Sequence, residues 1–232
     1  MSGPDCPDPA HCPVADYASL TRAKRVDLPA RLEWRRCYDS TWGFDEPNPG
    51  KGDTCFAPFR DASGAWVPTM YLADNDAGAL LETVFHDVAP GVGAVYEVTL
   101  RNYLLARVSP PRDLRLVDLR DTELARLGVP RTAVVSSSAE HYACTRLIAA
   151  GFYDDDPDIA GLLWDSRQSE LRRAGGRPMP ASAVAVIFST RVTSKRGGWA
   201  RPKPGVLSLT SGAGRTLIDE IADALGVDVI TS

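Results

Sequence analysis

A glutamate on a predicted helix and a tyrosine on the strand before it are the residues best placed for chemistry. Glu82 directly follows Leu81, and a helical advance of about 100° per residue places it at the edge of the core-facing stripe. Its carboxylate can face either solvent or a cleft. Tyr71, at the end of the preceding strand, can line the rim of the same cleft, although a structural half-buried tyrosine fits the pattern equally.

Two further pairs of polar residues could contact an anion. Arg35 and Arg36 are adjacent in a predicted strand, so they point to opposite faces and at most one enters a given pocket. An inward guanidinium needs a partner, and a diphosphate or a carboxylate fits its planar set of donors; the alternative is a solvated arginine. Ser166 and Arg167 follow another predicted strand, where Ser166 suits turn capping as well as ligand contact.

Other catalytic patterns are not supported. His86 lies four residues after Glu82 and could pair with it, and His141 falls in the first turn of a helix, but neither has a serine or cysteine partner at a recognisable spacing. The sequence therefore does not predict a hydrolase triad. Gly212-Ala213-Gly214 lacks the rest of a dinucleotide fingerprint and of a phosphate loop.

The sequence contains five cysteines at irregular spacing. An odd number without a regular spacing does not indicate the disulfide framework of a secreted protein. Cys6, His11 and Cys12 are close enough in sequence to share a metal ion. No second ligand pair follows at zinc-finger spacing, so a solvated, proline-rich arm over residues 1–30 is favoured over a metal site.

The elements around Glu82 are well marked. Residues 67–73 are predicted to form a buried strand, and Asp74-Asn75-Asp76 can cap the helix that follows. Apolar residues at 77, 80, 81, 84 and 85 give that helix its stripe, and Pro90-Gly91 ends it. Residues 39–64 contain three prolines and four glycines without a sustained period, which predicts a long functional loop beside this motif.

The remaining elements indicate an α+β fold, because strands and helices do not alternate regularly. Ser137 and Glu140 have capping-box spacing for a helix that Gly151 would stop, and Gly226 follows the last helix. Residues 183–188 are almost wholly apolar and predict a central strand. The predicted strands cover 32–38, 67–73, 94–100, 114–119, 161–164 and 183–188, and the later helices 137–150 and 216–225.

Composition and charge set the class of protein. A chain of 232 residues with 44% hydrophobic and 24% charged residues predicts one large globular domain. The net charge of −4 disfavours general binding to nucleic acid or to anionic membranes. No long apolar run or signal-like N-terminus is present, so we expect a cytoplasmic protein. Charge is unevenly distributed in one segment, which is either a docking surface for an acidic partner or a solvated loop. Its basic and aromatic residues are Arg191, Lys195, Arg196, Trp199, Arg201 and Lys203.

In order along the chain, these pieces resemble the RES domain, a bacterial family best known as the toxin half of toxin-antitoxin operons. The strongest match is the Tyr-Leu-Ala strand at Tyr71 followed eleven residues later by Glu82. Trp34-Arg35 resembles the family's opening arginine. Tyr142 begins a Tyr-x-x-Thr motif, and the strand that ends in Ser166-Arg167 resembles the family's Gly-hydrophobic-x-Ser-Arg. Ser138 is a second candidate for the family serine.

One motif departs from the family pattern. The family has Gly-Arg-Phe before the tyrosine strand, and this chain has Thr54-Cys55-Phe56 there, with Arg60 as the nearest possible substitute for the arginine. The resemblance spans residues 32–190 and implies three parts. These are an N-terminal extension (1–31), a RES-like catalytic domain (32–190), and a basic loop with a C-terminal helix packed on the same domain (191–232).

The resemblance implies a single-domain fold similar to ADP-ribosyltransferase toxins, with NAD as substrate and a protein antitoxin as partner. Glu82 would stabilise positive charge on the ribose, Arg35 would hold the diphosphate, and Tyr71 would contact the nicotinamide riboside. No metal or other cofactor would be required, because oxidised nicotinamide is already a cationic leaving group. The other implied substrate-binding residues are Arg36, Phe56, Arg60, Ser138, Tyr142, Ser166 and Arg167.

Three functions remain open at the level of sequence. The first is an enzyme that depletes NAD by hydrolysis or phosphorolysis. The second is a mono-ADP-ribosyltransferase that uses the same site to modify a protein. The third is a non-catalytic module that binds NAD or a partner, for which the altered stretch at Cys55 is the main support.

Overall fold

The computed structural model describes residues 6–192, 198–201 and 205–231. The strands are β1 (Arg25–Leu28), β2 (Trp34–Asp39), β3 (Phe59–Arg60), β4 (Trp66–Val67), β5 (Thr69–Ala73), β6 (Ala94–Tyr96), β7 (Tyr103–Val108), β8 (Leu114–Asp118), β9 (Ile159–Asp165), β10 (Ala183–Phe188), β11 (Val206–Ser208) and β12 (Asp228–Ile230). The helices are α1 (Tyr17–Leu20), α2 (Asp76–Leu81), α3 (Glu97–Leu100), α4 (Asp121–Leu127), α5 (Arg131–Val134), α6 (Tyr142–Asp155) and α7 (Gly212–Leu225). Short 3-10 helices cover Pro9–His11, Pro13–Asp16, Ala139–His141, Gln168–Glu170 and Ser189–Arg191.

Eight strands form one mixed sheet in the order β1-β8-β9-β10-β5-β2-β7-β11. Only β8 and β9 pair in parallel; every other neighbouring pair in this sheet is antiparallel. β10 lies in the middle of the sheet and is fully apolar on both faces, as its sequence predicts. Two small sheets, β12-β6 and β3-β4, complete the α+β fold.

The two faces of the sheet are covered differently. Helices α2, α6 and α7 pack on one face, where Leu80, Phe152 and Ile218 are fully buried in the larger core cluster. The opposite face carries a smaller cluster around Trp34 and Met70 that is covered mainly by loops. Residues of alternating strand positions therefore divide between a helix-covered face and a loop-covered face.

Three predicted elements have different boundaries in the structure. The predicted strand over 94–100 is wrong beyond Tyr96, where helix α3 begins; Tyr96 and Val98 are exposed, so their alternation does not mark a sheet face. Helix α2 ends already at Leu81, and the backbone continues through turns. The helix ends before Glu82 because the backbone of this residue, with φ −80° and ψ 0°, is no longer α-helical.

The prediction that Gly151 stops a helix is also wrong, since α6 continues through it to Asp155. A Cβ at Gly151 would lie 2.6 Å from ring atoms of Tyr17, so this glycine admits the aromatic ring against the helix. The expected capping box does not form either. Ser137 Oγ donates to the carbonyl of Val134, at 3.3 Å, and Tyr142 opens α6 after a turn of 3-10 helix.

The N-terminal segment is more ordered than its composition indicates. β1 pairs with β8 and forms one edge of the main sheet, while Leu20 is fully buried. At the other end, α7 packs against β11 and α2, and Gly226 ends it in the left-handed conformation, as predicted. No helix in the described ranges has the length and apolar character needed to cross a membrane.

Candidate active site

A cavity of about 350 Å³ opens on the helix-covered face of the sheet. The loop over residues 48–55 forms one wall, and the starts of β7 and α6 with the end of β9 form the others. Its lining comprises Asn48, Lys51, Gly52, Asp53, Thr54, Cys55, Tyr71, Glu82, Thr83, His86, Asp87, Tyr103, Val135, Ser137, Tyr142, Trp164, Arg167 and Gln168.

Glu82 is the half-buried carboxylate of this cavity. It lies at the C-terminal end of α2, a helix that begins where Asn75 Oδ1 accepts a hydrogen bond of 2.8 Å from Gly78 N. Ser166 Oγ donates to Glu82 Oε1 at 2.5 Å. Burial raises the pKa of Glu82, while the Ser166 hydrogen bond and the charges of His86 and Arg167 oppose that rise. Desolvation therefore favours the neutral form of Glu82 more than it would for an exposed glutamate.

An aromatic wall stands beside the carboxylate. The ring of Tyr71 packs edge-on against Trp164, with centroids 6.0 Å apart, and the Tyr71 hydroxyl lies 3.0 Å from Thr54 Oγ1. Burial raises the pKa values of both Tyr71 and Tyr142, so these phenols stay protonated at neutral pH. The wall offers π faces and neutral hydroxyls to a ligand.

Cys55, which occupies the departure from the motif, lines the cavity as a neutral thiol. Burial raises its pKa to about 12, so it is not a thiolate nucleophile at physiological pH. His86, expected as a partner for Glu82, instead places Nδ1 2.8 Å from Asp87 Oδ1. Neither residue forms a nucleophile–base pair with a neighbour in the cavity.

Of the four arginines that the sequence analysis names as candidates, Arg35, Arg36, Arg60 and Arg167, only Arg167 lines this cavity. Arg167 is exposed at the rim of the cavity, and its guanidinium forms no hydrogen bond or ion pair with another described residue. Lys51 also lines the cavity and stacks its ammonium over Trp42 at 4.9 Å. These two cations are available to an anionic part of a ligand.

Arg35 faces the same side of the sheet as Glu82, but it is already paired with two carboxylates. Its Nε donates to Asp76 Oδ1 at 2.7 Å and its Nη1 lies 2.8 Å from Glu33 Oε1. Arg35 meets Glu82 and Tyr71 only around a separate void of about 10 Å³. Its ion pair ties β2 to the first turn of α2.

Arg36 and Arg60 point elsewhere. Arg36 is on the loop-covered face and donates to the carbonyls of Gly43, Phe44 and Glu46; burial lowers its pKa to about 10. The Arg60 guanidinium donates to a backbone carbonyl and stacks over Trp66 at 3.9 Å. Both arginines therefore stabilise loops, and neither lines the cavity.

The remaining candidates divide in the same way. Phe56 is fully buried in the core, 5.2 Å from the ring of Trp164, and supports the wall from behind. Ser138 is exposed and outside the lining, whereas its neighbour Ser137 lies within it. Ser166 is buried and reaches the site through Glu82.

A family model described as "RES domain" matches residues 22–206. The chain belongs to the RES domain family. No curated protein matches it. A solved structure similar to this RES domain comes from the crystal structure of the M. tuberculosis MbcT-MbcA toxin-antitoxin complex, with a TM-score of 0.55, 12% identity, and coverage of 89% of this chain and 96% of that chain. That likeness shows the fold alone.

Several residues of this RES domain site were missed by the sequence analysis. Thr54, Lys51 and Asn48 lie in the loop that its proline and glycine content marked as functional. Trp164 lies inside the motif that ends in Ser166-Arg167, two residues before the serine, so strand alternation places both on the same face. That alternation was the available signal for Trp164. Nothing in the sequence singled out Thr83 or Gln168.

The described arginines of the basic segment, Arg191 and Arg201, do not line the cavity. Arg191 donates to the carbonyls of Tyr153 and Pro157, and the Arg201 guanidinium lies 5.3 Å from the ring of Phe44. Lys195, Arg196 and Lys203 lie outside the described residues. A group of three side chains that could ligate a metal ion is found outside the cavity, at Cys6, Cys12 and Cys144.

Proposed function

We propose that this RES domain protein cleaves the bond between nicotinamide and ribose in NAD, releasing ADP-ribose to water or to inorganic phosphate. The observation that carries the proposal is Glu82, a half-buried carboxylate in an aromatic-walled cavity with two basic side chains, Lys51 and Arg167, in its lining. No metal or further cofactor enters this proposal.

The chemistry follows from the charges. When the glycosidic bond breaks, its electron pair leaves with the nicotinamide, which becomes neutral, and positive charge develops on the ribose. Glu82, fixed by the Ser166 hydroxyl, would stabilise that charge in a site from which water is largely excluded. With water as acceptor, the products are nicotinamide, ADP-ribose and a proton.

The other side chains would bind and orient the substrate. The neutral hydroxyl and ring of Tyr71, with Trp164 behind it, would contact the nicotinamide riboside. Arg167 and Lys51 would bind the diphosphate, since they are the basic side chains at the rim. Arg35 would act indirectly, because its ion pair with Asp76 fixes the start of the helix that carries Glu82.

We further propose that the protein acts as a toxin that a protein antitoxin neutralises. The support is family membership together with the fold of the MbcT-MbcA complex. Expression of the chain alone in bacteria should arrest growth and lower cellular NAD, and Glu82→Gln should relieve both effects. Normal growth with unchanged NAD would contradict the toxin proposal.

The enzymatic proposal is tested by incubating the purified full chain with NAD and measuring free nicotinamide, with and without phosphate. Wild type should release nicotinamide, and Glu82→Gln should reduce the rate by about 10²–10³-fold, the usual cost of removing one transition-state stabiliser. Glu140→Gln is the matched control, because Glu140 is exposed and outside the cavity. Equal rates for wild type and Glu82→Gln would remove Glu82 from the mechanism.

The acceptor is identified from the same reactions. Free ADP-ribose indicates hydrolysis, and ADP-ribose 1″-phosphate indicates phosphorolysis. ADP-ribose covalently attached to protein in a cell lysate would instead establish a mono-ADP-ribosyltransferase. Binding of NAD without nicotinamide release under any of these conditions would establish a non-catalytic module.

A further inference from the structure

Three cysteines from distant parts of the chain, two of them buried, meet outside the active-site cavity. The Sγ atoms of Cys6, Cys12 and Cys144 all lie within 4.8 Å of one another. Cys6 and Cys12 belong to the N-terminal arm, residues 6–20, and Cys144 to the first turn of α6. The pairing of two such thiols in the arm was visible in the sequence, but Cys144 is 132 residues further along the chain than Cys12.

A histidine stands at the same place. His141 directly precedes α6, and its Nδ1 lies 3.8 Å from Cys6 Sγ. His141 and Cys144 are three residues apart at the start of a helix, so their side chains share one face. Around a tetrahedral Zn²⁺ with Zn–S of about 2.3 Å and Zn–N of about 2.0–2.1 Å, two sulfurs are separated by about 3.8 Å and a sulfur and a nitrogen by about 3.6 Å. The three sulfurs already lie near this spacing, and His141 Nδ1 lies beside Cys6 Sγ, from where it would move towards the other two sulfurs to complete a four-ligand shell.

His11, the histidine nearest to Cys12 in sequence, is engaged elsewhere. Its Nδ1 lies 2.7 Å from Asp8 Oδ2, and both residues are exposed. The sequence disfavours a metal site at Cys6, His11 and Cys12, and the structure separates His11 from the two cysteines. It instead brings two side chains of the arm, Cys6 and Cys12, next to two from the start of α6, His141 and Cys144.

The N-terminal arm has few buried contacts of its own, so a metal site at the cluster would help to hold it on the molecule. From residue 6 to residue 19 only Cys12 and Pro13 are buried, so few apolar contacts hold this stretch on the molecule. A bond network between the arm and α6 would compensate for the missing core. A disulfide could join only two of the three sulfurs and would leave a thiol beside it.

We propose that Cys6, Cys12, Cys144 and His141 Nδ1 form a structural Zn²⁺ site. Three thiolates and a neutral imidazole complete a tetrahedral shell, which leaves no open position for substrate and therefore indicates a structural ion. The soft, sulfur-rich ligand set selects zinc over calcium or magnesium. Binding displaces the three thiol protons and leaves the site with a net charge of −1, and the N-terminal end of α6 favours negative charge there.

The site has a consequence for the cavity. Tyr142, which lines the cavity, lies between His141 and Cys144 at the start of α6. The zinc ion would therefore anchor the arm and fix the helix turn that presents Tyr142. This inference does not depend on the proposed activity, because it concerns metal content and folding.

The test is the metal content of the full-length chain. We would express it in zinc-supplemented medium, purify it with a non-thiol reductant, dialyse it extensively and measure all transition metals by mass spectrometry. One zinc per chain is expected, released when an organomercurial modifies the thiols. Reconstitution with Co²⁺ should give the intense visible bands of a tetrahedral site and thiolate-to-cobalt charge transfer. Substoichiometric zinc after zinc reconstitution, another metal in its place, or a disulfide among these cysteines would overturn the proposal.

Paired variants locate the ligands. His141→Ala should weaken zinc binding by more than the about 10–100-fold that loss of a ligand's hydrogen-bond partner costs, whereas His11→Ala should retain wild-type affinity. Cys144→Ser should lose zinc, and Cys37→Ala, which removes a core thiol outside the cluster, should keep it. Equal affinity in His141→Ala and wild type would remove His141 from the shell. Because the Cys144 variant could unfold, mercurial release and the Co²⁺ spectrum of wild type test the thiolate ligands independently.

Discussion

At the scale of single residues, the protonation of Glu82 connects its burial to catalysis. Burial raises its pKa, so the proposed active carboxylate forms only when the pH rises through that raised value. We expect kcat/KM for NAD to fall on the acid side at a pH above the ordinary glutamate range of about 4.3. Ser166→Ala removes the hydrogen bond that favours the charged form and should move the acid limb to still higher pH.

The matched control for this pH profile is Ser189→Ala. Ser189 is buried and its hydroxyl has no hydrogen-bond partner among the residues that the structure describes, so its removal should leave the acid limb unchanged. An unshifted limb in Ser166→Ala would contradict the role given to the Ser166–Glu82 hydrogen bond. Stability has the opposite sign: a raised folded-state pKa means that stability falls as pH rises between the unfolded and folded values of Glu82.

The residue scale also separates the two candidate anion ligands. Arg167→Ala should raise KM for NAD about tenfold, because a charge-assisted hydrogen bond contributes about 1.5–3 kcal/mol and about 1.4 kcal/mol corresponds to a factor of ten. Arg172→Ala, an exposed arginine five residues away and outside the cavity, should leave KM unchanged. Steady-state kinetics on both variants distinguishes a specific contact from a loss of overall positive charge.

Sequence reasoning was strongest where a residue's element and face are set locally. Glu82, Tyr71, Tyr142 and Arg167 line the cavity, and each lies in or close to a well-marked helix or strand. It was weakest for the arginines, since the partners of Arg35 and Arg36 are set by tertiary structure. The carbonyls around Arg36 come from a loop eight to ten residues away that has no regular period.

At the scale of elements, helix α2 depends on the residue that caps its N-terminus. Asn75 is its N-cap and also donates from Nδ2 to the carbonyl of Ala181. Asn75→Ala should lower the free energy of unfolding by about 0.5–2 kcal/mol, measured by chemical denaturation. Ser211→Ala is the control, because Ser211 occupies the same position before α7 but makes no side-chain cap bond. If Ser211→Ala lowered the free energy of unfolding as much as Asn75→Ala, the loss of stability could not be attributed to the Asn75 hydrogen bond.

Element identity was predictable where burial and local signals agree. The all-apolar β10 and the αL glycine after α7 appear as expected. The segment over 94–100 failed because an alternating pattern specifies a strand only when one face is buried, and Tyr96 and Val98 are exposed. Helix α6 passes Gly151 because a neighbouring aromatic ring, Tyr17, occupies the space a Cβ would need, a contact that no local pattern encodes.

At the scale of the whole molecule, the sheet begins outside the segment that the motifs cover. β1 pairs with β8 over four residues, and the side chains of Leu20 and Leu28 are buried with it. The predicted extension over 1–31 therefore contains an edge strand and core residues, while the RES domain match begins at residue 22. A long-range pairing of this kind depends on β8, almost ninety residues later, and so left no signal in the first thirty residues.

Deleting residues 1–31 should consequently destabilise the whole protein. Two fully buried leucines contribute about 1.5–3 kcal/mol each, and removal of β1 also exposes the unpaired edge of β8 to association. Against a typical stability of about 5–15 kcal/mol, we expect a lower melting temperature and aggregation in size-exclusion chromatography. Deleting only residues 1–5 keeps β1, both leucines and all four residues of the proposed zinc shell, so it should melt and elute like wild type. A monomeric 32–232 fragment with wild-type melting would show that the sheet does not need this strand.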